Sequence, residues 1–255
     1  MMVMVYLAAG IGERLRPITD NINKCLLSFG GKTLIERNLE DFCRNGGKKA
    51  VILVGHKEKM VKKVVKSNPY LTEHLEMRFI RNSFYEITGG AHSLWLARSH
   101  FRGKNAIIMD GDQLLHPKIM EKLMDSPYDS TILVDDRSKL PLDEETLLLG
   151  MNDVAFELGW PGRNYKGFDG DIRGEAIIAV RLSVNASETL AVEIDKSVRK
   201  PQEGKMEHIE AFNRVLQKHI IIYLSSDGLP WIEIDDKDDL KRAREVWRKI
   251  ENERV

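Results

Sequence analysis

Two glycines and two arginines close an apolar run in "VYLAAGIGERLRP", residues 5–17, and Lys24 follows seven residues later. Small residues at Ala8, Ala9 and Gly10 let backbone N–H groups approach a ligand closely, and Gly12 keeps the turn open. Arg14 and Arg16 add cations whose planar forks match phosphate oxygens, and Lys24 can reach the same place. The chemistry this suits is the capture of a phosphate-rich anion. A plain strand-turn-helix with solvated arginines would use the same residues.

Two familiar phosphate loops do not fit. A dinucleotide fingerprint begun at Gly10 and Gly12 needs a third glycine at position 15, which is Leu15. A P-loop ending in Gly31, Lys32 and Thr33 needs a glycine at position 26, which is Leu26. Acidic residues form the second group. Asp110 and Asp112 end the run "NAIIMDGD", where carboxylates serve equally as turn caps or as ligands of a hard cation. In "WIEIDD", strand alternation puts Trp231, Glu233 and Asp235 on one face, while Asp236, Asp238 and Asp239 suit the start of a helix.

These residues need a scaffold that brings them to one edge. Short β-rich runs alternate with amphipathic helical stretches: "MVYLAA" as a strand, "TLIERNLEDFCRNG" as a helix stopped at Gly46 and Gly47, then "KKAVILVGH", "EKMVKKVVKS", "LEMRFIRN", "GAHSLWLARSHF" and "KNAIIMDGD". Repeated β-α-β units of this length predict an α/β fold, a Rossmann-like, mostly parallel mixed sheet with helices on both faces. Such sheets bind ligands beyond the carboxyl ends of their strands, where Gly10 and Asp112 fall. From Pro117 the rhythm changes to a helix, the strand "STILVDD", an irregular stretch over 137–171 and the strand "EAIIAVRLS". The expected organisation is a single domain over 1–255, with a nucleotide-binding half at 1–116 and a smaller acceptor-binding half at 117–255. Helical spacing assigns Leu94, Trp95 and Phe101 to a buried face.

Composition narrows the function. Lys plus Arg equals Asp plus Glu at 39 each, so no global basic field favours nucleic acid. No apolar stretch approaches the roughly 20 residues of a membrane span, which with the absence of a leader pattern predicts a cytoplasmic chain without membrane insertion. Cys25 and Cys43 lack metal-type spacing and read as reduced thiols, and the histidines show no short-spaced metal pair. Three glutamines and dense, balanced charge lean towards a heat-adapted source. The oligomeric state is not readable.

The string "LAAGIGERLRPITDNINKCLL" resembles the opening of the sugar-phosphate nucleotidyltransferases, LAAGxGxRLxPxT followed by a Pro-Lys pair, with Asn23 in place of that proline. The segments "ITGGAHSLWLARSHF", "IIMDGDQLLHP" and "WIEIDDKDDLKRA" resemble the small cytidylyltransferase branch, which acts on inositol-1-phosphate, phosphocholine or aminoethylphosphonate. The resemblance implies Mg²⁺-dependent transfer of CMP from CTP to a small phosphomonoester. It implies Lys24 and Arg14 as catalytic cations, Asp112 and Asp235 as metal ligands, and Leu7, Ala8, Gly10, Gly12 and Gly90 around the nucleotide. Candidate acceptor-binding residues are Asp169, Glu175 and Glu210, with Trp160, Tyr165 and Phe168 as walls. Inositol-1-phosphate is the expected acceptor, phosphocholine or aminoethylphosphonate the alternative. A non-catalytic nucleotide-binding regulatory module would have no use for Lys24, Asp112 and Asp235 together.

Overall fold

The computed structural model describes residues 2–136, 147–159, 171–198 and 207–253. Strand β1 (Val3–Ala8) runs into the glycine loop and three short 3-10 turns. A hairpin of β2 (Ser28–Phe29) and β3 (Lys32–Thr33) leads to α1 (Leu34–Arg44) and β4 (Lys49–Val54). Helices α2 (Glu58–Ser67) and α3 (Pro69–His74) precede β5 (Glu76–Arg81), and α4 (Gly90–Phe101) precedes β6 (Ala106–Asp110) and β7 (Gln113–Leu115). Then come α5 (Pro117–Met124), β8 (Thr131–Asp135), β9 (Leu147–Met151), β10 (Val154–Gly159) and β11 (Asp171–Leu182). The chain continues through α6 (Val184–Ser197), α7 (His208–Leu216), β12 (Ile222–Ser225), β13 (Trp231–Glu233) and α8 (Lys237–Asn252).

The fold is α/β with a mixed sheet of nine strands in the order β5-β4-β1-β6-β11-β8-β12-β10-β9. Strands β5, β4, β1 and β6 are parallel, and β11 reverses direction against β6 and β8. A further pairing of β9 with β11 closes the last five strands into a ring. Alternation along β1 explains the layers. Val3 and Val5 join a core under α4, α6 and α7 with Leu94, Phe101, Ile194 and Phe212. Met4 and Tyr6 point the other way, to Ile35, Leu39 and Phe42 of α1 and Val61 of α2. A third, smaller core joins Leu15 of the glycine loop to Leu34, Leu114, Ile234 and Ile250, so α8 and the segment after β13 are fastened beneath that loop.

Two strands lie inside the stretch expected to be irregular. Asn152 and Asp153 both have positive φ, 51° and 64°, and form a two-residue turn that lets β9 and β10 pair antiparallel. Helix α6 was also unmarked by the sequence reading; Ser183 caps it by accepting from the Ala186 N–H. Among the described residues, no helix is long and apolar enough to cross a membrane.

Candidate active site

Parallel pairing of β1 with β6 sets Leu7 beside Asp110, so the glycine loop and the turn Asp110-Gly111-Asp112 emerge side by side at one sheet edge. The approach is close enough that a Cβ on Gly111 would lie 2.3 Å from the Leu7 carbonyl oxygen, which only glycine avoids. Gly12 adopts φ 69° and its carbonyl accepts from the Thr19 hydroxyl at 2.8 Å. The short turn Glu13–Leu15 buries Leu15 and turns Arg14 towards the acids.

Strand β13 pairs antiparallel with β7, Glu233 opposite Gln113, and the Ile234 N–H donates to the Asp112 carbonyl at 3.1 Å. That pairing carries Glu233 and Asp235 to the Asp110–Asp112 turn. The Lys24 ammonium sits between two carboxylates, 2.8 Å from Asp112 Oδ2 and 2.6 Å from Asp235 Oδ1, and Arg14 Nη2 lies 2.8 Å from Asp235 Oδ2. Asp110, Asp112 and Glu233 can each bring one oxygen within 4.8 Å of the others. His208 Nε2 lies 3.2 Å from Asp110 Oδ2.

The electrostatics are uneven. Burial pushes the Asp112 carboxyl up and Lys24 opposes it, but burial together with Asp110 and Asp235 prevails. Burial together with Asp112, Asp235 and Asp110 raises Glu233 well above the ordinary carboxylate range. Asp235 moves the other way: burial opposes its ionisation, but Lys24 and Arg14 outweigh it. Burial would lower Lys24 and His208, yet Asp112 and Asp235 raise the lysine and Asp110 raises the histidine. Four acids thus face two permanent cations and a histidine. Asp112 Oδ1 is buried without a hydrogen-bond partner. A hard divalent cation has the charge and ligand preference that this set lacks, so the residues fit Mg²⁺.

The cleft encloses about 530 Å³. Leu7, Gly10, Gly12, Arg14, Lys24, Gly90, Asp112 and Asp235 all line it. Ala8 does not: it is the last residue of β1, buried, and Ala9 takes the lining place. Gly90 gives its space to a protein side chain: a Cβ there would lie 2.4 Å from Nδ1 of His208. Glu175 sits in mid-sheet, opposite Asp135 of β8 and Leu147 of β9, and Glu210 is exposed on α7; neither lines the cleft. The same helix start presents Glu207, His208 and Ile209 instead. Asp169, Trp160, Tyr165 and Phe168 lie outside the described residues. Leu94 and Phe101 are buried, whereas Trp95 is half-buried, donating from Nε1 to Asp195 at 2.9 Å with its ring stacked on His92.

Sequence reasoning left Glu233 without a role, although alternation had placed it beside Asp235. It missed His208 and Glu207, which come to the cleft only through the packing of α7. Asn82 was equally silent: buried in the cleft wall, it donates to Thr88 Oγ1 at 3.0 Å and Ser93 Oγ at 3.1 Å and so fixes the turn before α4.

The nucleotidyl transferase family model matches residues 3–133. The chain is similar to the bifunctional IPC transferase and DIPP synthase of Aquifex aeolicus, 27% identical over 245 residues, 94% of this chain and 50% of that protein. It is 32% identical over 114 residues to the choline-phosphate cytidylyltransferase of Streptococcus pneumoniae, 45% of this chain and 46% of that one. The chain spans about half the length of these curated relatives. Its fold matches the inositol-1-phosphate CTP transferase from T. maritima with a TM-score of 0.75 at 19% identity, covering 98% of this chain and 96% of that one.

Proposed function

The chain belongs to the nucleotidyl transferase family, and on that ground we propose that it transfers CMP from CTP to a small alcohol phosphate, releasing pyrophosphate, with inositol-1-phosphate as the preferred acceptor. The observation that carries the reading is the position of Lys24. It is held between Asp112 and Asp235 beside the glycine loop, where a reacting phosphate would meet both the lysine and the acids.

The attacking phosphate oxygen is already ionised at neutral pH, so no general base is required. Catalysis reduces to holding two anions together and stabilising charge on the α-phosphate and the leaving group. Ala9, Gly10, Ile11 and Gly12 offer backbone amides to the triphosphate. Arg14 steadies the leaving phosphates, and Lys24 lies between the α-phosphate and the acceptor phosphate. Asp112, with Glu233 and Asp110, would hold Mg²⁺, and Asp235, tied here to Lys24 and Arg14, would join them as a ligand on release from those cations. Bound there, Mg²⁺ would supply Lewis-acid stabilisation of phosphoryl charge.

The acceptor reading draws on the T. maritima enzyme and on the heat-adapted composition. Phosphocholine is the second reading, favoured by the Streptococcus relative and by a cleft lining that includes Tyr85, Glu86 and Glu207, residue types that also suit a quaternary ammonium. The test is to incubate the chain with Mg²⁺, each nucleoside triphosphate and a panel of alcohol phosphates, and to follow pyrophosphate. CTP with inositol-1-phosphate is expected to give the highest kcat/KM. Preference for phosphocholine would overturn the acceptor, equal rates with ATP the cytidylyl assignment, and CTP binding without pyrophosphate release the enzyme reading.

A further inference from the structure

Asn23 stands where the resembling pattern has proline, immediately before Lys24, and it is almost completely buried. Proline would stiffen that turn through its ring and could donate no hydrogen bond from it. Asparagine works differently. Its Nδ2 donates to the carbonyl of His56 at 2.9 Å and to those of Ala8 and Gly10 at 3.1 and 3.4 Å. Two N–H bonds cannot point singly at three acceptors, so one of them is shared. Oδ1 accepts from the Cys25 N–H at 3.0 Å and caps the 3-10 turn Lys24–Leu26.

The consequence lies on the other side of the loop. In a planar trans peptide the C=O and the following N–H point in opposite directions. Asn23 holds the Ala8 and Gly10 carbonyls, and the His56 N–H holds that of Ala9 at 3.0 Å. The amides of Ala9, Gly10 and Ile11 are therefore turned away from these partners, and all three residues line the cleft. His56 Nε2 in turn meets the Thr19 carbonyl at 2.6 Å, and the Thr19 hydroxyl donates to Gly12, closing the clasp around the loop. The Asn23 side chain thus sets the polarity of two of the three amides, beside the one set by the His56 N–H, and starts the turn that aims Lys24.

We propose that Asn23 is a positioning residue that locks the triphosphate-binding amides and Lys24 into one geometry. This rests on the nucleotidyl-transfer reading for its functional consequence, and on the hydrogen bonds alone for its structural one.

Asn23→Asp keeps the shape and the Cys25 acceptor but replaces the donors with oxygen. Asn23→Ser keeps a cap and drops the same donors, and serves if the aspartate variant fails to fold. Three quantities decide: the CTP dissociation constant with Mg²⁺ by calorimetry, kcat and KM, and hydrogen exchange of the ligand-free chain. Both variants are expected to weaken CTP binding and lower kcat by about tenfold or more, since small displacements of positioned groups carry large kinetic costs. Exchange at the hydrogen-bonded amides that fasten the loop, those of Cys25 and His56, should quicken by about tenfold while α1 and β4 stay within about twofold of the parent chain. Wild-type values of both the CTP dissociation constant and kcat, or faster exchange spread evenly through the core, would overturn the assignment. A parent chain that neither binds CTP nor releases pyrophosphate would defeat the cytidylyl-transfer reading instead. The exchange pattern would still decide whether Asn23 holds the loop.

Discussion

Glu40 on α1 and Asp112 at the head of β7 are both carboxylates withdrawn from water, and their surroundings treat them in opposite ways. Glu40 is surrounded by donors: its Oε2 meets Lys32 at 2.5 Å and Arg44 at 2.8 Å, and its Oε1 accepts from Asn68 at 3.0 Å. Burial pushes its carboxyl up, but Lys32, Asn68 and Arg44 together hold it below the ordinary value. Asp112 shares its one lysine with Asp235, faces Asp110 and Glu233, and is held above the ordinary value. The first cluster has completed its pairing and stores stability. The second has not, and the missing charge is what a cation-dependent site requires.

Breaking the two clusters should therefore damage different things. Asp112→Asn is expected to lower kcat by about 10²–10³-fold, the scale of losing one charge-stabilising group in a reaction site. The ligand-free chain should melt no lower than the parent, because the change relieves repulsion. Lys24→Met should cost turnover on the same scale. Glu40→Gln should leave kcat per folded molecule within about twofold, since it lies outside the cleft. Near-parent turnover in Asp112→Asn, assayed at saturating Mg²⁺ and CTP, would remove Asp112 from the site.

The cation itself sharpens the contrast. Mg²⁺ should raise the melting temperature of the parent chain, because a ligand that binds only the folded state stabilises it by mass action. Glu233→Gln should abolish most of that rise, Asp235→Asn should shift it to higher Mg²⁺, and Glu40→Gln should leave it intact. An unchanged Mg²⁺ response in Glu233→Gln, followed by thermal melting after EDTA treatment, would contradict the carboxylate cluster as the cation site.

Much of this contrast was visible in the residues and some could not have been. The glycine loop, Asp112 and Asp235 announce themselves because each sits at a strand end, and Lys24 because it follows the loop in the order of the resembling family. The periodicity of α1 and α4 likewise fixed the layers that carry them. Glu233 needed the knowledge that β13 pairs with β7, a contact between residues more than a hundred positions apart that no local pattern encodes. His208 enters through α7, and Glu210, two residues further along and so on the opposite side of the helix, faces solvent. Glu40 was hidden for another reason. It occupies a helix position next to the apolar stripe, and only the arrival of Asn68 and Lys32 makes a buried glutamate tolerable there. The turn at Asn152-Asp153 was readable in principle, as two turn-forming residues between apolar runs, but the surrounding glycines and acids masked it.

The smallest expected effect tests whether Glu40 acts through its charge. A hydrogen-bonded buried carboxylate with two cationic partners is worth about 1–3 kcal/mol, so Glu40→Gln should lower the unfolding free energy by that order near pH 7. Because the folded chain holds the Glu40 carboxyl below its unfolded value, the unfolded state binds this proton more readily, and stability from this group rises with pH through the acid range. The contribution is fully present above the unfolded value, about 4.3 for glutamate, and is lost as pH falls through the lower folded value. The gap between parent and Glu40→Gln should thus be flat from about pH 6 to 7 and close progressively below about pH 4. Urea unfolding of both chains across that range, with EDTA present so that the cleft stays free of cations, measures the gap directly. A gap that persists unchanged into acid would mean that Glu40 stabilises by shape and neutral hydrogen bonds, and the contrast between a paired and an unpaired carboxylate would then rest on Asp112 alone.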